Sequence, residues 1–215
     1  MALVAGLRDY EEWHTGYDDP ASGLSWRLSR VQAHLDRALD QGTGDRHLLS
    51  ACSGDGRDVI GVLTRRPEAD RVTAVLIELH PGLAQRARDA AAAAGLSGLV
   101  VRTTDAGSSD AYAGAVPADI VLLVGIFGNI SDDDLWRLID TTPQFCAPGA
   151  TVLWSRGRDE EDLNPEVRAR FAGAGFTELA YETLDADSRI GLGAARYDGP
   201  AVELVPGRAL FSFVR

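Results

Sequence analysis

The feature that most restricts this chain is a short apolar run that stops in glycines. His47-Leu48-Leu49-Ser50-Ala51 runs into Cys52-Ser53-Gly54-Asp55-Gly56, and residues Asp58 to Leu63 then carry a helical pattern. A second apolar run, Val72 to Ile77, ends in an acid, Glu78. Strand, tight glycine turn, helix, and an acid at the tip of the next strand together make a nucleoside-cofactor pocket. Glycines without a Cβ let the backbone approach a ligand closely, and the acid accepts hydrogen bonds from ribose hydroxyls.

The rest of the chain alternates in the same way. Leu28, Val31, Leu35 and Leu39 put a helix over Ser25 to Leu39, and Gln41 to Asp45 is a turn into the first strand. Pro81 opens a helix whose buried face is Leu83, Ala87, Ala90, Ala91 and Ala94, with Gly95 placed to end it. Leu99 to Val101 reads as a short third strand, and Ile120 to Val124 as a central strand buried on both faces. Ser131 and Asp134 resemble a capping box for a helix through Ile139. Pro148-Gly149 turns into a fifth strand over Thr151 to Trp154, and Glu166 to Ala174 is a helix ended by Gly175. Thr177 to Thr183 and Ala209 to Val214 read as two closing strands, with a glycine-rich loop or long hairpin, Asp185 to Gly207, between them. The expected fold is α/β: a Rossmann-like, doubly wound, mostly parallel seven-stranded sheet with an antiparallel last strand. Residues 47–215 form this core, and residues 1–46 form a helical N-terminal extension.

Composition removes several function classes. A net charge of −11 disfavours nucleic acid as a partner, because phosphate contacts need clustered cations. All 21 basic residues are Arg, so Schiff-base and Walker-type lysine chemistry are excluded. Cys52 and Cys146, with four scattered His, lack metal-type spacing, and no metal is expected. The two cysteines could be bridged in principle, but a reduced cytoplasmic protein is the plainer reading. Met1 to Trp13 does not read as a signal peptide, and no apolar run is long enough to span a membrane.

Two cofactor classes fit a glycine loop plus an acid. A dinucleotide fingerprint needs a third glycine, and Val59 stands at that place. The layout resembles class I S-adenosylmethionine-dependent methyltransferases, and bacterial members in particular, whose first motif runs acid-x-Gly-x-Gly-x-Gly. Gly54 and Gly56 match the last two glycines, while Ser50 stands at the acid and Cys52 at the first glycine. The resemblance implies S-adenosylmethionine as cofactor, held by Ser53, Gly54, Asp55, Gly56, Glu78 and Leu79. It further implies Asp105 and Ala106 at the adenine, and Gly125 in the strand end Gly125-Ile126-Phe127-Gly128-Asn129. The alternative reading of Asp105 is a helix N-cap or an Asx turn, and that of Asp58 a helix cap.

In such proteins the acceptor is held by parts added to the core. Trp13, His14, Tyr17, Asp18 and Asp19 put aromatics beside acids, which attract a sulfonium. Tyr17 reads either as a lid residue near the methyl end or as packing for the first helix. Arg27 and Arg30 are candidates for the cofactor carboxylate, and Asp18 for its ammonium. Methyl transfer is an in-line displacement needing alignment and exclusion of water. His14 is the candidate general base, and Asn129 the candidate for orienting the acceptor. The expected activity is methyl transfer to a small-molecule acceptor. An NAD(P)-dependent oxidoreductase and a catalytically silent S-adenosylmethionine-binding protein are the competing readings. No nucleic-acid or membrane partner is expected, and a homodimer is left open.

Overall fold

The computed structural model describes residues 15–158, 161–184 and 189–214. Seven strands form one sheet in the order β3-β2-β1-β4-β5-β7-β6. The strands are β1 Arg46–Ala51, β2 Val72–Glu78, β3 Leu99–Thr103, β4 Ala118–Leu123, β5 Cys146–Gly157, β6 Phe176–Thr183 and β7 Ile190–Tyr197. The first five run parallel, and β7 lies antiparallel to both β5 and β6. Among the described residues five α-helices flank the sheet: α1 Gly23–Leu39, α2 Arg57–Leu63, α3 Pro81–Ala93, α4 Asp132–Thr141 and α5 Asn164–Gly173. The expected α/β architecture, with its switch in strand order between β1 and β4, is therefore present.

Consecutive residues of the central strands enter different layers. Leu48, Ile120, Leu122 and Leu153 pack with Val31, Leu35 and Leu39 of α1 and with Val59 and Val62 of α2. Their neighbours Leu49, Val121, Leu123 and Trp154 pack with Leu135 and Leu138 of α4 and Phe171 of α5. Burial on both faces explains why these strands read as unbroken apolar runs. The helix ends follow the sequence signals. Ser22 caps α1 through the Ser25 N–H, Ser131 caps α4 through the Asp134 N–H, and Gly95 takes a φ of +69° past α3.

Two expectations about the closing strands are corrected. Ala209 to Val214 is not a strand of the sheet; it makes only single bridges, Ser108 with Ala209 and Ile130 with Phe213. The seventh strand is Ile190–Tyr197, inside the stretch expected to be loop. Its glycines hide it. A Cβ on Gly193 would lie 2.2 Å from Trp154 Cε2, and one on Gly191 would lie 2.6 Å from Tyr181 Oη. Large rings from neighbouring strands take the space that side chains of β7 would otherwise fill. Pro148-Gly149, expected as a turn, lies within β5, where the pairing with β4 shifts register.

The N-terminal helix is tied to the far edge of the sheet by Glu182 of β6. Arg30 Nε and Nη2 donate to its carboxylate at 2.5 and 2.8 Å, and His34 Nε2 lies 2.8 Å away. Arg30 holds the Glu182 carboxyl down to about 2, with His34 adding to the effect against some desolvation. The depressed value means that this clamp stabilises fully above the ordinary Glu value of 4.5 and is lost as the pH falls toward about 2. Glu182→Gln is expected to lower stability at neutral pH by roughly 1–2 kcal/mol after solvent screening. Urea titrations of the two proteins should converge between pH 4.5 and 2; a gap independent of pH would refute the clamp.

Candidate functional site

The carboxyl ends of β1, β2, β3 and β4 meet at the glycine corner. Beyond β1 the backbone is left-handed at three alternate residues, with φ of +52° at Cys52, +60° at Gly54 and +71° at Gly56. Cys52 thus keeps the conformation that glycine would take there, which strains a residue with a Cβ. Gly56 heads α2, and a Cβ on it would lie 2.7 Å from Leu76 Cδ2 and 3.0 Å from Ile60 Cδ1. This glycine lets the turn pack onto β2, so its absent side chain serves protein contact and not only ligand approach. The Ser53 N–H donates to the Ile77 carbonyl at 3.0 Å, joining the corner to β2. Its Oγ is buried with no hydrogen-bond partner among the described residues.

Glu78 fastens the corner. Its Oε2 accepts the Gly54 N–H and its Oε1 the His80 N–H, both at 2.7 Å, and the residue is 8% exposed. Burial raises its pKa, opposed by those two N–H groups and by His80. Each oxygen keeps acceptor capacity beyond one backbone donor. Leu79 stands exposed beside it. His80 caps α3, its Nδ1 accepting the Leu83 N–H at 3.3 Å, so its ring is committed to the helix.

Asp105 follows β3 and is exposed, with Oδ1 accepting the Gly107 N–H at 2.8 Å in an Asx turn. Ala106 is buried, and its carbonyl accepts the Tyr112 hydroxyl at 2.8 Å. Burial pushes the Cys52 thiol up, and the charges of Glu78 and Asp105 push it further. Cys52 therefore stays a neutral thiol. After β4, Gly125 takes a φ of +79° and donates its N–H to Ser155 Oγ at 3.0 Å. Asn129 Nδ2 donates to the Gly125 carbonyl at 2.7 Å, closing the turn, and the Asn129 carbonyl accepts the Val214 N–H at 2.8 Å.

The N-terminal extension reaches this corner through Tyr17, which lies in a single 3-10 turn, Thr15–Asp18. Its hydroxyl accepts Arg27 Nη2 at 2.6 Å, and the Arg57 guanidinium stacks 4.2 Å from its ring centroid. Arg57 in turn grips Asp55 with Nε at 2.9 Å and Nη2 at 2.5 Å. Arg27 is buried, and its Nη1 lies 3.6 Å from where a Gly125 Cβ would be. Desolvation raises the Asp58 carboxyl to about 6, against the Val59 N–H and the Arg27 charge. The head of α2 is Gly56, so Asp58 lies in the first turn and is not the capping residue. Asp18 is exposed and within electrostatic reach of Arg57.

The structure thus gathers Tyr17, Arg27, Ser53, Gly54, Asp55, Gly56, Glu78 and Gly125 at the carboxyl ends of β1, β2 and β4, with Asp105 and Ala106 following β3. Arg30 is excluded from this group, because Glu182 takes its guanidinium. His14 and Trp13 lie outside the described residues. Sequence reasoning missed Ser155, which orients Gly125. The signal was available in the polar pair Ser155-Arg156 that ends the apolar run Val152-Leu153-Trp154. Among the described residues, no three His, Cys, Asp or Glu side chains gather as metal ligands, and no helix is long and apolar enough to cross a membrane.

No family model and no curated protein matches the sequence. Solved structures do match by fold. An O-methyltransferase family protein from Burkholderia thailandensis superposes with a TM-score of 0.61 at 17% identity, over 82% of this chain and 58% of that one. Magnesium protoporphyrin IX methyltransferase from Synechocystis, with bound S-adenosylmethionine, gives 0.65 at 14% identity, over 91% of this chain and all (100%) of that one. A candidate exported protein from Bordetella parapertussis gives 0.65 at 17% identity, over 93% of this chain and 81% of that one. The chain spans little more than half of the first relative, at 58% of its length. It has the Rossmann-like fold of these methyltransferase structures, of which the Synechocystis enzyme is solved with S-adenosylmethionine bound.

Proposed function

We propose that the chain transfers a methyl group from S-adenosylmethionine to a small-molecule acceptor by in-line displacement. The observation that carries this reading is Glu78, a buried carboxylate at the end of β2 tied to the Gly54 N–H beyond β1, with acceptor capacity left on both oxygens. The residues present fit the cofactor. Glu78 would take the ribose hydroxyls, and the unpartnered Ser53 Oγ and the glycine-corner backbone would take the adjoining polar groups. Arg27 offers a cation for the methionyl carboxylate, held in place by Tyr17. Leu79 offers an apolar wall for the adenine, with Asp105 and Ala106 beside it.

When bound, the cofactor supplies an activated methyl on sulfur, and the protein's part is alignment and exclusion of water. The N-terminal extension would act as the lid; its described contact with the corner is Tyr17, which meets Arg27 and Arg57. Asn129 holds the turn after β4 in shape and by that route positions the acceptor. His14 is the base where the acceptor is a hydroxyl or amine. The net charge of −11 disfavours a nucleic-acid partner; a cytoplasmic setting and no membrane partner complete the reading.

Thermal melts separate this reading from the nicotinamide one. S-adenosylmethionine and S-adenosylhomocysteine at about a hundred times Kd should each add about 2.7 kcal/mol, which is several degrees for a chain of this size. Stabilisation by NAD alone would overturn the proposal. Nucleoside binding with no transfer of a labelled methyl to any of a broad set of acceptors would leave a silent binding protein.

A further inference from the structure

At the end of β5 a cation is buried without a counter-charge among the described residues. Arg156 is 9% exposed, and the single hydrogen bond of its guanidinium, among the described residues, is from Nη1 to the carbonyl of Gly157 at 3.2 Å. Its Nε is buried with no partner. Of the described acids nearby along the chain, Glu161 is exposed, and Asp162 takes Arg158 Nε at 3.0 Å and Asn164 Nδ2 at 2.6 Å. Burying an unpaired charge costs several kcal/mol, so a fold keeps one only where something offsets it.

A second orphan lies against the first. Asn164, at the start of α5, is fully buried; its Nδ2 donates to the same Gly157 carbonyl at 3.2 Å, and its Oδ1 has no partner. Gly191 of β7 pairs with Arg156, and a Cβ there would lie 3.0 Å from Asn164 Oδ1 and 2.6 Å from Tyr181 Oη. Only glycine leaves room there for the Tyr181 hydroxyl and the Asn164 amide oxygen. The corner adjoins the turn after β4, since a Cβ on Gly128 would come within 3.6 Å of the Gly157 nitrogen. It therefore neighbours the turn that Asn129 and Ser155 hold beside Arg27, one strand away.

We propose that Arg156 and Asn164 form the acceptor's anchoring site, and that the acceptor is a hydroxy or amino carboxylate. This rests on the methyl-transfer reading above. An arginine fork matches a planar carboxylate, and one cation neutralises one carboxylate. Asn164 Oδ1 takes the neighbouring hydroxyl or amino donor. A phosphate dianion would need a second cation, and Arg158 is already engaged by Asp162.

The test uses the full chain with and without S-adenosylhomocysteine. Salicylate, anthranilate, lactate and alanine are titrated against their primary amides, with inorganic phosphate as a further arm. At least one acid should bind about tenfold or more tightly than its amide, and Arg156→Gln should abolish that difference. Arg156→Met should raise Tm by about 2–4 °C, because it removes an unpaired buried charge, while S-adenosylhomocysteine affinity stays within about twofold. Equal binding of acids and amides, no acid bound, phosphate preferred over every acid, or a lower Tm in Arg156→Met would each overturn the proposal. If S-adenosylhomocysteine itself fails to bind the wild type, the methyl-transfer reading falls, and the nucleoside-free arms still decide the role of Arg156.

Discussion

Glu78→Ala is expected to weaken S-adenosylhomocysteine binding by about 3 kcal/mol or more, roughly a hundredfold or greater in Kd. Two charge-assisted bonds from ribose hydroxyls contribute roughly 1.5–3 kcal/mol each. The variant loses more than those contacts, because Glu78 also joins the Gly54 N–H to the His80 N–H and so fixes the corner against the start of α3. Glutamine is not a mild replacement: its amide NH2 would face one of two backbone donors and orphan it. Titration calorimetry on the folded variant, paired with a urea melt, separates lost affinity from lost fold. The carboxylate form is the one that accepts hydroxyl protons, and burial raises its pKa. Wild-type affinity should therefore fall toward acid at a higher pH than an ordinary Glu would give. Unchanged affinity in Glu78→Ala would remove the basis of the proposed function.

The parts of this site that could be read from sequence are those made by local rules. A strand that ends in glycines and a strand that ends in an acid are each visible within about ten residues, and Gly54 and Glu78 do meet. Contacts made across the sheet were not visible. Arg27 and Arg30 are equivalent on the helical pattern, and only Glu182, 152 residues from Arg30, decides that one reaches the crevice and the other does not. The missing partner of Arg156 is likewise a property of the packed corner and leaves no mark in the chain. The two strand errors share one cause. Leu210, Phe211 and Phe213 look like a strand because the segment is buried over Gly107, where a Cβ would lie 2.3 Å from the Phe211 carbonyl oxygen. Gly191, Gly193, Ala194 and Ala195 look like loop because their neighbours supply the bulk.

Gly193→Ala tests that last statement directly and is expected to destabilise the protein by about 2–4 kcal/mol, combining overpacking with a disturbed aromatic stack. The added methyl would lie 2.2 Å from Trp154 Cε2, 2.4 Å from Cζ2 and 2.4 Å from Nε1, well inside contact distance. The backbone has little room to yield, since Gly193 pairs with Trp154 on one side and with Tyr181 on the other. The indole is held in turn by ring stacking at 5.8 Å on Phe127, 5.8 Å on Phe171 and 6.0 Å on Tyr181. Trp154→Phe removes the atoms that the methyl would strike, so the two changes should couple. The double variant should be less destabilised than the sum of the singles by about 1 kcal/mol or more in a urea-melt cycle. If Gly193→Ala proves neutral, or the two effects simply add, the indole does not stand in for the missing side chain, and the concealment of β7 needs another explanation.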